Sequence, residues 1–243
     1  MVARNFYGAV RVEDYNETPQ TDAYRELHHG TINHGSEFMR DDLKRRPTTY
    51  YARGSGVGIA LSSMRPMRRV GVIGLGAGTL AAYCRPGDVF RFYEINPIVA
   101  RIAKSEFYYM RECHGQLDVV MGDARLSLER EEPQQFDVLA VDAFSGDSIP
   151  VHLLTVEAFR EYFRHVKPDG IVAVHISNKY LELGPVVTRA AEELKKTAVA
   201  ITNPEDNASG VYASDWIMLS SDPRAFEAAD LAGGAAGGVA EAA

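Results

Sequence analysis

Hydrophobic and polar positions divide the chain into three textures. Between residues 4 and 40, β-like runs follow one another: Phe6 to Val12, Tyr24 to His29 and Ile32 to Met39, with Gly30 and Gly35 as turn or bulge residues. Runs of this length, punctuated by glycine, predict a small β-rich unit. Residues 41–53 are polar and basic, and Pro47 stops any helix begun at Asp41. From residue 69 to about 221, short apolar runs alternate with helical patterns. That alternation marks a parallel sheet with crossover helices.

Seven strands are predicted in this second region: Arg69–Ile73, Val89–Glu94, Leu117–Met121, Phe136–Asp142, Ile171–Ile176, Val199–Thr202 and Trp216–Ser220. They are rich in Val, Ile and Phe without strict alternation, as expected where both faces of a sheet are buried. Two helices carry start signals. Asn96 can N-cap one, and Pro97 suits its first position, where no amide hydrogen is needed. Ile98, Val99, Ile102, Ala103 and Phe107 then give that helix an apolar face. Thr155 can cap the other, with Val156, Phe159, Phe163 and Val166 facing inward and Lys167-Pro168-Asp169-Gly170 ending it as a turn. The tail from Ala225 is Ala- and Gly-rich without periodicity, and is expected to be disordered. The chain thus divides into a β-rich domain and linker (1–53), a nucleotide-binding α/β domain (54–224) and a tail (225–243).

Composition adds exclusions. Of 243 residues, 46% are apolar and 24% charged, the profile of an ordinary globule. The formal charge of −7 argues against a nucleic-acid binder, which needs surplus Lys and Arg against phosphates. Two cysteines, Cys84 and Cys113, are too few for a disulfide framework or a cysteine zinc site, and a reducing compartment is the simplest reading. No run approaches the ~20 apolar residues of a membrane span, and Met1 to Tyr7 holds no apolar signal core. A soluble, cytoplasmic protein is expected. His28, His29 and His34 have no matching carboxylate pattern, so no metal site is assigned.

The sharpest motif is Gly74-Leu75-Gly76-Ala77-Gly78-Thr79, placed after the strand Arg69–Ile73 and before a helix. A dinucleotide fingerprint wants Gly-x-Gly-x-x-Gly, which would put the third glycine at Thr79. Here it falls at Gly78, the form typical of S-adenosyl binders. The bland alternative is a glycine-rich turn with no ligand. Glu94 ends the second strand, where an acid can accept both ribose hydroxyls. Asp123, before Ala124, can accept the adenine amine, or merely cap the following helix. Asp142 ends the fourth strand, and the loop to Pro150 holds a second acid, Asp147. A carboxylate at Asp142 can orient an amine and take its proton as it attacks carbon beside a sulfonium, or simply cap the turn. His175 and Tyr180 can line an acceptor pocket, although a histidine inside an apolar strand also suits a core.

These residues resemble the spermidine synthase family, the polyamine aminopropyltransferases, over residues 5–221. The likeness rests on Gly74 to Leu80, Phe92-Tyr-Glu-Ile-Asn-Pro97, Gly122-Asp-Ala-Arg125, Val141-Asp-Ala-Phe-Ser145, His175-Ile-Ser-Asn178 and His29-Gly-x-x-x-His34-Gly35. It is closest to a bacterial branch often found behind a membrane transporter-like segment. This chain would then be a stand-alone version or an excised catalytic domain. The resemblance implies a class I methyltransferase-like (Rossmann-like) seven-stranded α/β domain behind a small N-terminal β domain. It implies transfer of an aminopropyl group from decarboxylated S-adenosylmethionine, a co-substrate rather than a prosthetic group, to a polyamine such as putrescine. It implies a homodimer, with no nucleic acid. Carried over, Gly74, Gly76, Gly78, Glu94, Asp123, Ala124 and His34 would hold the donor. Asp142 would be the general base or amine-orienting acid, and Asp147, Tyr50, Tyr51, His175 and Tyr180 would face the acceptor.

Two departures stand out. Relatives carry an Asp that helps bind the donor's ammonium where this chain has Ala77. Their Asp-Ser-Ser-Asp-Pro loop is replaced by Asp142-Ala-Phe-Ser-Gly-Asp147. An S-adenosylmethionine-dependent methyltransferase, or a non-catalytic nucleoside-binding domain, on the same scaffold are the alternatives.

Overall fold

A computed structural model describes residues 1–18, 22–144, 150–178, 180–229 and 231. An antiparallel sheet comes first, in chain order: β1 (Val2–Asn5), β2 (Gly8–Tyr15), β3 (Tyr24–His29) and β4 (Ile32–Phe38). A helix missed by the sequence reading, α1 (Gly56–Ser63), leads into the larger domain. There follow β5 (Arg69–Ile73), β6 (Val89–Glu94), α2 (Pro97–Ser105), β7 (Gln116–Met121), α3 (Ala124–Arg130), β8 (Phe136–Val141) and α4 (Val156–His165). The last elements are β9 (Val166–His175), α5 (Gly184–Glu193), β10 (Thr197–Asn203), β11 (Ser214–Ser220) and α6 (Arg224–Ala228). The seven-stranded sheet runs β10-β11-β9-β8-β5-β6-β7, with β10 and β11 antiparallel to their neighbours. Strand order reverses at β5, between β8 and β6. A crevice at the carboxyl ends of these strands is where open α/β sheets bind ligands.

Both faces of the sheet are buried, so each strand serves two cores with a period of two. Val70 and Val72, Val138 and Ala140, and Ile171 and Ala173 enter the core that also holds Val10, Val12 and Leu27 of the first sheet. Ile73, Leu139, Val141, Val172 and Val174 enter the opposite core, against α3, α4 and α5. The same parity puts Glu94, Asp142 and His175 on the face that carries the N-terminal sheet.

The helix starts follow the capping chemistry. The Asn96 side chain accepts from Ile98 N, and that of Thr155 from Ala158 N. Other expectations need correction. In α4 the buried residues are Ala158, Phe159, Tyr162 and His165, with Val156 and Phe163 only partly covered. Lys167 to Gly170 is no helix-ending turn but a bulge inside β9: Phe136 pairs with Val166, and pairing resumes at Val138 with Ile171. The tail does not begin at Ala225. α6 continues the fold, and Phe226, Ala229 and Leu231 are buried in the first core. Two apolar side chains were enough, despite an Ala-rich context. Cys84 and Cys113, too few for a framework, form one disulfide, which departs from the reducing-compartment expectation. Among the described residues, no helix is long and apolar enough to cross a membrane.

A buried ion pair closes the base of the domain. Asp88 accepts the backbone amides of Arg68 and Arg85 at 2.9 and 3.0 Å and pairs with the Arg68 guanidinium, which also reaches the carbonyls of Leu61 and Tyr83. Burial pushes the Asp88 carboxyl up, but these donors outweigh it and hold it below the usual range. Replacing Asp88 by Ala strands a buried guanidinium. It is expected to cost about 3–5 kcal/mol, read by urea denaturation.

Candidate active site

The turn after β5 is where the two sheets meet. Gly74 and Gly76 have φ of +95° and +54°, a region that side chains disfavour. A Cβ on Gly74 would strike the Asp142 backbone, and one on Gly76 would strike the His34 carbonyl. The glycines therefore let β8 and β4 close onto the turn. The His34 carbonyl accepts Ala77 N at 2.9 Å, joining the sheets directly. Gly78 N-caps a short 3-10 helix, Thr79–Tyr83, rather than an α-helix. Most amides of the turn are already spent: Gly74 N on Tyr93 O, Leu75 N on the Glu94 carboxylate, Ala77 N on His34 O and Gly78 N on Leu75 O. This turn is not an open anion cradle.

Two adjoining lobes open above it. One is lined by Gly74, Gly76, Glu94, Asp123, Ala124 and Asp142 among others. The other is lined by Tyr50, Tyr51, His175, Ser177, Asn178 and Phe144 among others. His34, Gly76, Asp142 and Phe144 line both. Among the described residues, no lysine or arginine lines either lobe.

Glu94 is held by backbone donors, among them Leu75 N at 3.1 Å and Asn96 N at 2.7 Å, with Ile95 also contributing. Burial raises its carboxyl above the usual range. An ionised carboxylate has about four acceptor positions, so these donors do not exhaust it. Asp123 does cap α3, through Leu126 N at 2.9 Å, while its other oxygen meets His152 Nε2 at 2.8 Å. Cap and cleft wall are thus the same residue. His34 stands at the junction of the lobes, its Nε2 covered and without a partner among the described residues. Burial pushes its imidazole down to about 4, so it is neutral near pH 7.

Asp142 is the best-held group. Tyr51 donates its hydroxyl to Oδ2, and His175 Nδ1 lies 2.9 Å from Oδ1. Burial and the Asp142 charge push both Tyr50 and Tyr51 well above the ordinary phenol range, so they stay protonated donors. His175 is sandwiched between the rings of Tyr50 and Trp216, each 4.7 Å away. Trp216 pairs directly with His175 across β11 and β9, which puts both rings on one face.

The structure gathers Gly74, Gly76, Glu94, Asp123, Ala124, His34, Asp142, Tyr50, Tyr51 and His175 around one cleft. Gly78 is not in its wall; it packs toward Met110. Tyr180 is mostly exposed and lines neither lobe. Asp147 lies outside the described residues. Ala77 is fully buried, facing Gly35 rather than the cleft. Sequence reasoning missed Tyr7, His152 and Trp216. Tyr7 arrives on the β1–β2 turn, where its carbonyl meets His29 Nε2 at 2.6 Å; no local pattern signals it. Trp216 was legible only as a core residue of its strand. His28 turns the other way, to Glu26, so the three early histidines do not converge.

A doubly wound sheet with its cleft at the switch point, capped by a β-sheet, is a Rossmann-like α/β fold of the methyltransferase-like class. Comparison with known proteins narrows this. No family model matches the chain. A polyamine aminopropyltransferase of Vibrio vulnificus is 31% identical over 112 residues, covering 44% of this chain and 37% of that protein. The matches to curated relatives span less than half of those proteins' length. The crystal structure of a "probable spermidine synthase" from Corynebacterium glutamicum matches with TM-score 0.69 and 19% identity, over 91% of this chain and 80% of that one. A spermidine synthase in complex with the transition-state analogue AdoDATO matches with TM-score 0.65 and 13% identity, over 94% and 75%. Human methyltransferase-like protein 13, in complex with SAH, shares the fold over 71% of this chain and 86% of its own, at TM-score 0.56 and 15% identity. The resemblance to polyamine aminopropyltransferases thus holds in sequence over 112 residues, and the fold of spermidine synthases is shared over more than nine-tenths of the chain.

Two outcomes follow for the cleft. Gly76→Ala is expected to cost at least ~1 kcal/mol from its backbone conformation alone, and more because the Cβ must displace the His34 carbonyl, as urea denaturation would show. A histidine whose imidazole is lowered on folding stabilises the protein fully above its unfolded value of 6.5, and that stability is lost as pH falls toward about 4. His34→Gln should therefore remove roughly 2 kcal/mol of the stability loss between these pH values, measured by denaturation at stepped pH.

Proposed function

We propose that this protein is an aminopropyltransferase, moving the aminopropyl group of decarboxylated S-adenosylmethionine to a primary amine, with putrescine as the default acceptor. The reading is carried by the charge of the cleft. Glu94, Asp123 and Asp142 face a space with no lysine or arginine among its described lining residues. Such a cleft suits a cationic donor and a cationic acceptor, and disfavours phosphate. It also offers poor compensation for the carboxylate of intact S-adenosylmethionine, because most turn amides are already bonded within the protein. The spermidine synthase resemblance supports the same choice.

In this reading the lobe at Glu94 and Asp123 takes the nucleoside. Glu94 accepts the ribose hydroxyls, and Asp123 with the Ala124 backbone meets adenine. The amine enters the lobe at Tyr50 and His175, beside Asp142, where the lobes join. Its nitrogen attacks the methylene carbon next to sulfur, the carbon–sulfur bond breaks toward sulfur, and neutral methylthioadenosine leaves. The sulfonium is a good leaving group already, so alignment and removal of one ammonium proton are what the protein supplies. Asp142 draws the ammonium to the junction.

The test offers decarboxylated and intact S-adenosylmethionine with putrescine, cadaverine and spermidine, and follows products by mass spectrometry. Methylthioadenosine with a lengthened amine is expected. S-adenosylhomocysteine would replace this reading with methyl transfer, and methylthioadenosine binding without turnover would replace it with a nucleoside-binding role. Asp142→Asn should lower turnover ~10²-fold or more.

A further inference from the structure

We infer that His175 Nε2, not the Asp142 carboxylate, is the atom that takes the proton from the acceptor amine; this rests on the transfer reaction proposed above. Three observations carry it. First, each oxygen of Asp142 already accepts one hydrogen bond, Oδ2 from the Tyr51 hydroxyl and Oδ1 from His175 Nδ1, 2.9 Å away. Tyr51 stays protonated and the carboxylate only accepts, so the proton between Asp142 and His175 resides on Nδ1. With Nδ1 carrying that proton, Nε2 is the ring nitrogen whose lone pair can take another.

Second, that Nε2 is buried, in a side chain only 3% exposed, and has no hydrogen-bond partner among the described residues. A buried polar atom left without a partner costs free energy and demands an explanation. His175 lines the lobe that also holds Tyr50 and Ser177, and an amine N–H that reached Nε2 from there would satisfy it. Third, the ring cannot turn away. Tyr50 and Trp216 clamp its faces at 4.7 Å, and Phe144 meets it edge-on at 5.4 Å. A base held this way fulfils the geometric demand of proton transfer before the substrate arrives.

The step balances. The acceptor enters as an ammonium and gives one proton to His175 Nε2. Its freed lone pair forms the new carbon–nitrogen bond as the carbon–sulfur pair moves to sulfur. A secondary ammonium and neutral methylthioadenosine result, and the imidazolium later releases its proton to solvent. Asp142 acts as a positioning residue, fixing the tautomer and stabilising the imidazolium through Nδ1–H.

The experiment compares steady-state kinetics of the wild type, His175→Gln and His175→Ala under the transfer assay, with added imidazoles of graded basicity. His175→Gln keeps a polar planar group but holds no titratable proton. It is expected to lose ~10²-fold or more in kcat, with KM for the amine changed only a few-fold. Imidazoles should restore His175→Ala, more strongly as their basicity rises. Retention of His175→Gln turnover within about threefold, while Asp142→Asn loses its own ~10²-fold, would return the proton to the carboxylate and overturn the inference. Restoration independent of basicity would also overturn it, since that is hole-filling. A wild type without aminopropyl transfer would overturn the underlying reaction, a result distinct from either.

Discussion

The molecule depends on how closely two backbones approach a turn that has no side chains in the way. Gly74 admits the end of β8, and Gly76 admits β4. Because both fit, the His34 carbonyl can bond Ala77 N and the N-terminal sheet shares a core with the larger domain. Without that approach, His34, Tyr50 and Tyr51 would not stand beside Asp142. The glycine motif is usually read as space for a ligand. Here the same missing Cβ atoms make room for the protein itself.

Asp142 shows how that assembly becomes chemistry. Its neighbours come from three distant stretches: Tyr51 from the segment after the first sheet, His175 from the end of β9, and Trp216 behind it on β11. The period of two along each buried strand decides that these side chains share a face. Burial then keeps the tyrosines protonated, so the carboxylate is surrounded by donors rather than by competing anions. A charge among aligned donors is a preorganised electrostatic arrangement.

Much of the fold was legible because it rests on local physics. The strand runs of the larger domain, and the caps at Asn96 and Thr155, appear almost where hydrophobic pattern and capping chemistry put them. The misreadings share a cause. Lys167 to Gly170 has turn residues, yet pairing with β8 on either side turns it into a bulge. The Ala-rich stretch at α6 has weak local preference, yet the space for Phe226 and Leu231 orders it. Cys84 and Cys113 are separated by 29 residues and carry no pattern that predicts their pairing.

The sequence by itself determined which residues have the chemistry: the acids at strand ends, the glycine turn and the aromatic pair Tyr50-Tyr51. Those are properties of residue type and of position relative to a strand, and both are written locally. Only the tertiary structure decided roles. It made Asp123 a cap and a wall at once, turned Ala77 and Gly78 away from the cleft, brought His152 to Asp123, and bonded His175 to Asp142. Each of these is a contact between residues far apart in the chain. Their distance is set by how sheets pack, and no single stretch of sequence carries that information.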